Sequence, residues 1–298
     1  MPAMLQTHVP VRRDLPGQIR RTLALALPVM GARLGLMLMV TIDSIMAGRT
    51  DGAALAHYGI ALAPHLFLLV VGIGFLVGTV VLVGQADGAG EPARCGAVWH
   101  GALGLAAVLG TLAAVLMAFG EAVLTAMGQS PELATGGGAA LQAFAWGMPA
   151  ILLYLATSFL AEGIGRPRAG MLIALGANLP NAGLNWILIG GHLGAPAMGA
   201  AGAALATSAT RWLMLAALLT YVLTLRERDR YALVSTRQLT RRTLGRLLRL
   251  GTPLAVATGL ESGAFTMLAV FAGWLGTTAM AAYQACINVV SFAFMMAI

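Results

Sequence analysis

Lysine is absent from this sequence, and charge of any kind is scarce. All 18 basic residues are arginine, and charged residues make up 10% of the 298 positions, against about 25% in soluble globular domains. That deficit excludes a water-soluble globular chain, which would have too little polar surface to cover itself. The missing lysine reflects genomic composition rather than function. Cysteine is nearly missing too. Cys95 and Cys286 fall in separate apolar segments and read as unpaired small hydrophobes, so no disulfide framework is expected. The N-terminal MPAMLQTHVPVRRDLPGQIRR lacks the compact apolar core and small-residue cleavage site of a secretory signal, so the first apolar segment is expected to stay in the protein. Enzyme motifs are missing as well: there is no zinc-type histidine pair, nucleophile-elbow Gly-x-Ser-x-Gly or phosphate-binding loop. GIGFLVG (72–78) imitates a nucleotide-binding glycine pattern but lies inside an apolar run, where small-residue helix packing explains it better.

Long hydrophobic runs are what the sequence has instead. Residues of apolar type make up 59% of it, in stretches that repeatedly exceed the ~20 residues needed to cross a bilayer. Hydropathy predicts eight spans, near 20–47, 53–85, 95–119, 133–161, 169–190, 198–225, 249–274 and 278–298. Charged, Gly-rich turns break them at GRTDG (48–52) and DGAGEPAR (87–94), GQSPE (128–132) has the pattern of a helix start, and EGIGRPR (162–168) is a further turn. The expected class is an all-α polytopic membrane protein.

Arginine placement sets the orientation. With the N-terminus inside, the inner side holds Arg12, Arg13, Arg20, Arg21, Arg94, Arg166, Arg168 and the eight arginines of 226–249, while the outer side holds Arg49. Such asymmetry predicts a cytoplasmic N-terminus. The long basic loop RERDRYALVSTRQLTRRTLGRLLRL (226–250) reads as an orientation determinant and interdomain linker rather than a nucleic-acid site.

A shift of 225 residues aligns landmarks without gaps: Pro28 with Pro253, Ala47-Gly48 with Ala272-Gly273, ALAHY (54–58) with AMAAY (279–283). An even number of spans separates the copies, so both face the same way, a parallel repeat of the kind used by transporters. On this reading 1–225 is a complete six-helix lobe, 226–248 a basic cytoplasmic linker, and 249–298 the first two helices of a second lobe. A complete protein is then expected to run to roughly 450 residues, twice the repeat offset.

In order and spacing, several stretches together resemble the multidrug and toxic compound extrusion (MATE) family, NorM-like branch. They are ALPVMGARLGLMLMVTIDSIMAGRTDGAALAHYGIA, GQADGAGE, EGIGRPRAGM, NLPNAGLNWILIGG and GTPLAVATGLESGAFTMLAVFAGWLGTTAMAAYQACINVV. The resemblance implies two six-helix lobes around a V-shaped cavity. It also implies export of cationic, amphipathic small molecules, without an enzyme reaction, from a monomer in the bacterial inner membrane. The driving partner would be sodium or protons; no cofactor beyond a possible sodium ion and no nucleic acid is implied, and membrane lipids are the surroundings.

Asp43, Glu162 and Glu261 are the acids near or within spans. Glu162, where a span meets a charged turn, is expected to be a solvated helix end. Asp43 and Glu261 lie inside spans, where a carboxylate costs roughly 2.5–3.5 kcal/mol and is functional by default. A proton, a sodium ion and a cationic compound can compete for such a group, and competition with alternating access gives exchange. Rise per residue puts Glu261 near mid-bilayer, buried among Gly259, Gly263 and apolar neighbours, and Asp43 in the outer half. The resemblance implies that Asp43 is the first-helix acid of the N-lobe site and Glu261 the seventh-helix acid of a C-lobe cation site. Either acid is a candidate sodium ligand, Glu261 ahead of Asp43. Asn178, Asn181 and Asn185 form an i, i+3, i+7 stripe, so they share a helix face, and the cost of a lipid-exposed carboxylate predicts that Asp43 lies opposite that face. Their carboxamides suit ion or drug ligation and equally suit interhelical bonding. Proton-coupled relatives of the DinF-like branch commonly hold Asp where this chain has Asn185. Thr207 is expected to join the cluster. Arg33 departs from the usual uncharged or amide residue, and His65, after Pro64, and His100 read as packed polar partners rather than proton relays. The alternatives to an antiporter are a lipid-linked oligosaccharide flippase of the same superfamily and an inactive membrane fragment. A flippase should line its cavity with several basic residues.

Overall fold

The computed structural model describes residues 15–235 and 241–297, and every regular element among them is helical. The chain runs through α1 (Leu15–Thr50), α2 (Gly52–Leu76), α3 (Gly78–Gly88), α4 (Ala93–Ala118) and α5 (Gly120–Ala126). It continues through α6 (Pro131–Gly163), α7 (Arg168–Gly176), α8 (Asn178–Gly190), α9 (Gly199–Leu223), α10 (Arg241–Trp274) and α11 (Thr277–Ala297). Among the described residues, seven helical stretches are long and apolar enough to cross a membrane, α2 with α3 and α7 with α8 each counting as one. The chain is a multi-pass membrane protein. The expected eighth span, 278–298, corresponds to α11, a helix of 21 residues outside those seven. Arg12, Arg13 and Arg237, used above to set orientation, lie outside the described residues.

Local chemistry places the breaks. Asp51 accepts a hydrogen bond from the Ala53 amide at 3.2 Å and starts α2, so the turn after α1 is two residues long at most. Ser130 accepts from the Leu133 amide at 3.4 Å ahead of Pro131, which starts α6. Pro180 has no N–H to offer the Gly176 carbonyl, four residues back, and the helical ladder lapses at Ala177 between α7 and α8. Gly191 closes α8 in the left-handed conformation, φ 71°. α10 starts at Arg241, ahead of the expected 249: Leu247 is buried and Arg and Leu favour helix, so the second part of the basic stretch is helix rather than loop.

α6 is the most enclosed span, packed against α9, α4 and α2. Close approach depends on glycine: a Cβ on Gly147 of α6 would sit 2.6 Å from the Ser208 Cα of α9, and one on Gly35 of α1 2.8 Å from the Ala174 backbone of α7. α1 lies against α7 and α8, and α10 and α11 lie against α2. At one end of the bundle the Arg166 guanidinium pairs with Glu227 at 2.6 Å, and the Gly96 amide donates to the Tyr231 carbonyl at 3.0 Å. These contacts hold the Arg-bearing turns 94, 166–168 and 226–231 together, as a single-sided basic face requires. The repeat also reappears in the helix bounds. Adding 225 to Gly52, where α2 starts, gives 277, where α11 starts, and α1 and α10 each contain their aligned proline, Pro28 and Pro253.

Candidate functional site

Asp43 has no solvent exposure, and its carboxylate is held from three other helices. Tyr58 of α2 donates its hydroxyl to Oδ2 at 2.9 Å, Asn185 of α8 donates to Oδ1 at 2.6 Å, and the Thr207 hydroxyl of α9 donates to Oδ2. Asn185 Nδ2 also donates to Asn181 Oδ1 at 3.2 Å, and Asn181 Nδ2 donates to Thr207 Oγ1 at 3.2 Å. The result is a closed ring, Asp43–Asn185–Asn181–Thr207, in which each bond is directed ultimately toward the carboxylate. Asn181, Asn185, Thr207 and Tyr58 are themselves fully buried. Bonds to a charged partner contribute roughly 1.5–3 kcal/mol each, enough together to offset the insertion cost of one carboxylate.

The asparagine stripe therefore divides. Asn185 touches Asp43, Asn181 supports Thr207, and Asn178 does neither. Asn178 Nδ2 donates to the carbonyls of Ala174 at 3.0 Å, Leu175 at 3.2 Å and Gly35 of α1 at 3.1 Å, tying the break before α8 to α1. Its role is interhelical bonding at the Pro180 interruption. The Oδ1 atoms of Asn178 and Asn185 are buried without a partner among the described residues. No group of three or more His, Cys, Asp or Glu suited to a metal ion occurs among the described residues.

One helical turn beyond Thr207, Arg211 is 5% exposed and donates from Nη2 to His65 Nε2 at 3.0 Å. His65 stacks on Phe144 with ring centroids 4.4 Å apart, and the guanidinium carbon lies 5.7 Å from the same ring. His65 is thus a packed polar partner, as expected; His100 is too, its Nδ1 lying 2.7 Å from the Gly96 carbonyl. A cavity of about 200 Å3 opens between α1, α2, α6 and α9, lined by Arg33, Ser158, Glu162, Thr207 and Arg211 among apolar side chains.

Two sequence readings change. Glu261 was expected to be buried and is exposed. α10 packs on α2 through a stripe of Gly251, Ala255 and Gly259; two residues past Gly259 is roughly 200° around the helix, so Glu261 points away from that contact. Glu162 is not a solvated helix end but half-buried in the cavity wall, accepting a hydrogen bond from Ser158 at 3.0 Å. Arg33 lines the same cavity with an exposed side chain. Two site residues were missed altogether. Tyr58 carries a signal in its position, because Asp43 and Tyr58 lie eight and seven residues either side of Asp51 and so at one depth in a helical hairpin. Arg211 was signalled by its i+4 spacing from Thr207.

Comparison with known proteins agrees with this architecture. A probable multidrug resistance protein NorM from Caulobacter vibrioides is 33% identical over 96% of this chain and 60% of its own length. The multidrug resistance protein PmpM from Pseudomonas aeruginosa is 31% identical, over 96% of this chain and 61% of its own length. The chain thus spans about 60% of the length of these curated relatives. Among solved structures, a MOP superfamily transporter from Pyrococcus furiosus shares the fold with a TM-score of 0.78 at 20% identity, over 93% of this chain and 61% of that one. The MatE family model matches residues 28–187, more than half of the sequence, and the chain belongs to the MatE family.

Proposed function

We propose that this protein exports amphipathic organic compounds, cationic ones among them, from a bacterial cell in exchange for protons or sodium. Its membrane is the inner membrane and its N-terminus is cytoplasmic. The carrying observation is the Asp43 carboxylate, wholly enclosed on a span and gripped by Tyr58, Asn185 and Thr207 from three other helices. The multidrug resistance relatives supply the substrate class. Three donors take three of the four lone-pair sites of this carboxylate, leaving room for a proton but little for the several oxygen contacts of a sodium ion at this position. Hydroxyls donate and accept. A proton arriving on Oδ2 therefore turns Tyr58 or Thr207 from donor to acceptor, which changes how α1 is held to α2 and α9. Loading and unloading the proton in this way biases helix position, the requirement for coupling. Sodium, if it drives export, falls to Glu261 in the second repeat copy.

The flippase alternative calls for a strongly basic cavity able to hold a pyrophosphate. The cavity lining here is mixed, with Arg33 and Arg211 beside Glu162, and favours the exporter. Ethidium export from reconstituted vesicles, driven in turn by a proton and a sodium gradient, tests the proposal. Proton-driven export should fail in Asp43→Asn at normal protein content. Export undiminished in that variant would remove Asp43 from the coupling role, and movement of a labelled lipid-linked sugar in place of ethidium would favour the flippase.

A further inference from the structure

The cavity beside Asp43 is lined by two arginines and one acid, and the buried atom of that lining left without a partner among the described residues, Arg211 Nη1, is a donor. Guanidinium groups have donors and no acceptor. Arg211 therefore donates its Nη2 proton to His65 Nε2, which fixes His65 in the tautomer that carries hydrogen on Nδ1. Arg211 Nη1 and His65 Nδ1 are both buried without a partner among the described residues. Both are donors. An orphaned buried donor costs about 1–3 kcal/mol, more when charged. Asp43 does not relieve Arg211 directly: its oxygens take Tyr58, Asn185 and Thr207, and no ion pair joins it to Arg211 among the described residues.

The guanidinium is also fixed in place. His65 holds one end, and Phe144 lies under both groups, 4.4 Å from the imidazole centroid and 5.7 Å from the guanidinium carbon. Arg211 lines the cavity one turn past Thr207, its guanidinium over Phe144 of α6, whereas Glu162 lies eighteen residues along α6 from Phe144, roughly 27 Å by helix rise, toward the Arg33 end. Leu66, Leu69, Ile73 and Leu155 give apolar walls between the two ends. The volume of about 200 Å3 exceeds the ~150 Å3 of a cavity that takes up benzene, so an aromatic body fits there.

We propose that Arg211 anchors an acidic group on the transported compound. The cavity then selects amphipathic molecules bearing a carboxylate over the same molecules with that acid esterified. This rests on the cavity being the transport cavity, as proposed above. 6-Dimethylamino-2-naphthoic acid, with its free carboxylate, and its methyl ester, with the same ring system, form a fluorescent probe pair of a size matched to the cavity. Fluorescence anisotropy on purified protein in phosphatidylcholine nanodiscs reads both affinities. The wild-type protein should bind the acid at least about fivefold more tightly than the ester, and Arg211→Gln should weaken the acid about tenfold while changing the ester less than about twofold, the scale of one charge-assisted hydrogen bond. Arg211→Lys should recover part of the preference. Equal wild-type affinity for the two dyes overturns the assignment with no variant needed, so a misfolded variant cannot protect it. Equal weakening of both dyes in folded Arg211→Gln also overturns it, because the guanidinium then serves only as a distant counter-charge to Asp43. Adding phosphatidylglycerol to the nanodiscs should leave the acid preference intact; abolishing it would assign Arg211 to a lipid headgroup and overturn the proposal. Failure of the wild-type protein to bind either dye would instead overturn the transport-cavity reading itself.

Discussion

The two copies of the repeat treat their acids in opposite ways. In the first, Asp43 is fully enclosed and accepts from three helices; in the second, Glu261 is exposed and has no hydrogen bond among the described residues. Nor do the acids occupy equivalent places. Subtracting 225 from 261 gives Leu36, seven residues and so about 10 Å of helix before Asp43, while adding 225 to 43 gives Leu268, itself 52% exposed. The repeat preserves the proline in each first helix and the start of each second helix, which are features of backbone packing. The charges are not part of that inheritance. Each copy has placed its acid on a different face for a different set of neighbours.

The largest effect that would sharpen the contrast is expected from Asp43→Ala. It leaves Tyr58, Asn185 and Thr207 without their acceptor inside the bundle, at about 1–3 kcal/mol for each group left unsatisfied. The purified variant should melt several degrees below the wild type as well as lose proton-driven export. Unchanged thermal stability would mean that the ring around Asp43 is not tightly formed. Asn178→Ala comes next. It cuts the bonds from α8 to Gly35 of α1 and to the carbonyls before the Pro180 break, at about 2 kcal/mol for the net loss of the three. Because Asn178 touches neither Asp43 nor Thr207, the ion dependence of export should keep its wild-type profile at reduced stability. An altered coupling profile in this variant would return Asn178 to the ion site. A smaller change is expected from Tyr58→Phe, which keeps the packing against Phe144, at ring centroids 5.7 Å apart, and removes one of the bonds to Asp43. Stability should fall by about 1.5 kcal/mol, the low end for a bond to a charged group, and export should be slowed rather than abolished, since Thr207 and Asn185 remain.

Much of this was legible before any coordinates. Spans and their breaks followed from hydropathy and from Ser130-Pro131, Asp51 and the glycine turns, because those residues act locally. The pairing of Asp43 with the α8 asparagines followed from periodicity, which puts i, i+3 and i+7 on one face. Periodicity could not say which of the three meets the carboxylate, because that depends on the break that Pro180 makes in the helix. Tyr58 was overlooked because ALAHY was read only as a marker of the repeat, although its distance from Asp51 already set its depth. Arg211 belongs to neither side of the arginine split, and its spacing of one turn from Thr207 went unread. The exposure of Glu261 was not legible, for a different reason. Helix rise speaks to depth and not to azimuth, and the small-residue stripe at Gly251, Ala255 and Gly259 had already named the opposite face as the packed one.

Glu261→Gln gives the smallest structural effect and the sharpest reading of the comparison. The side chain is exposed and unbonded among the described residues, so losing its charge should leave the melting temperature within about 2 °C of the wild type, as for surface substitutions generally. If the second copy supplies sodium coupling, sodium-driven ethidium export should nevertheless fail in this variant while proton-driven export, assigned to Asp43, persists. The pair Asp43→Asn and Glu261→Gln then separates the two gradients, one acid to each. Loss of both gradients in Glu261→Gln would instead tie the acids into one coupled site, and the division of labour between the copies would be wrong. A large fall in stability would break the comparison at its root, because it would mean that Glu261 is buried against partners in the folded protein, as Asp43 is. Stability and the two gradients therefore have to be measured on the same preparation: only an unmoved melting temperature allows a lost gradient to be read as lost coupling.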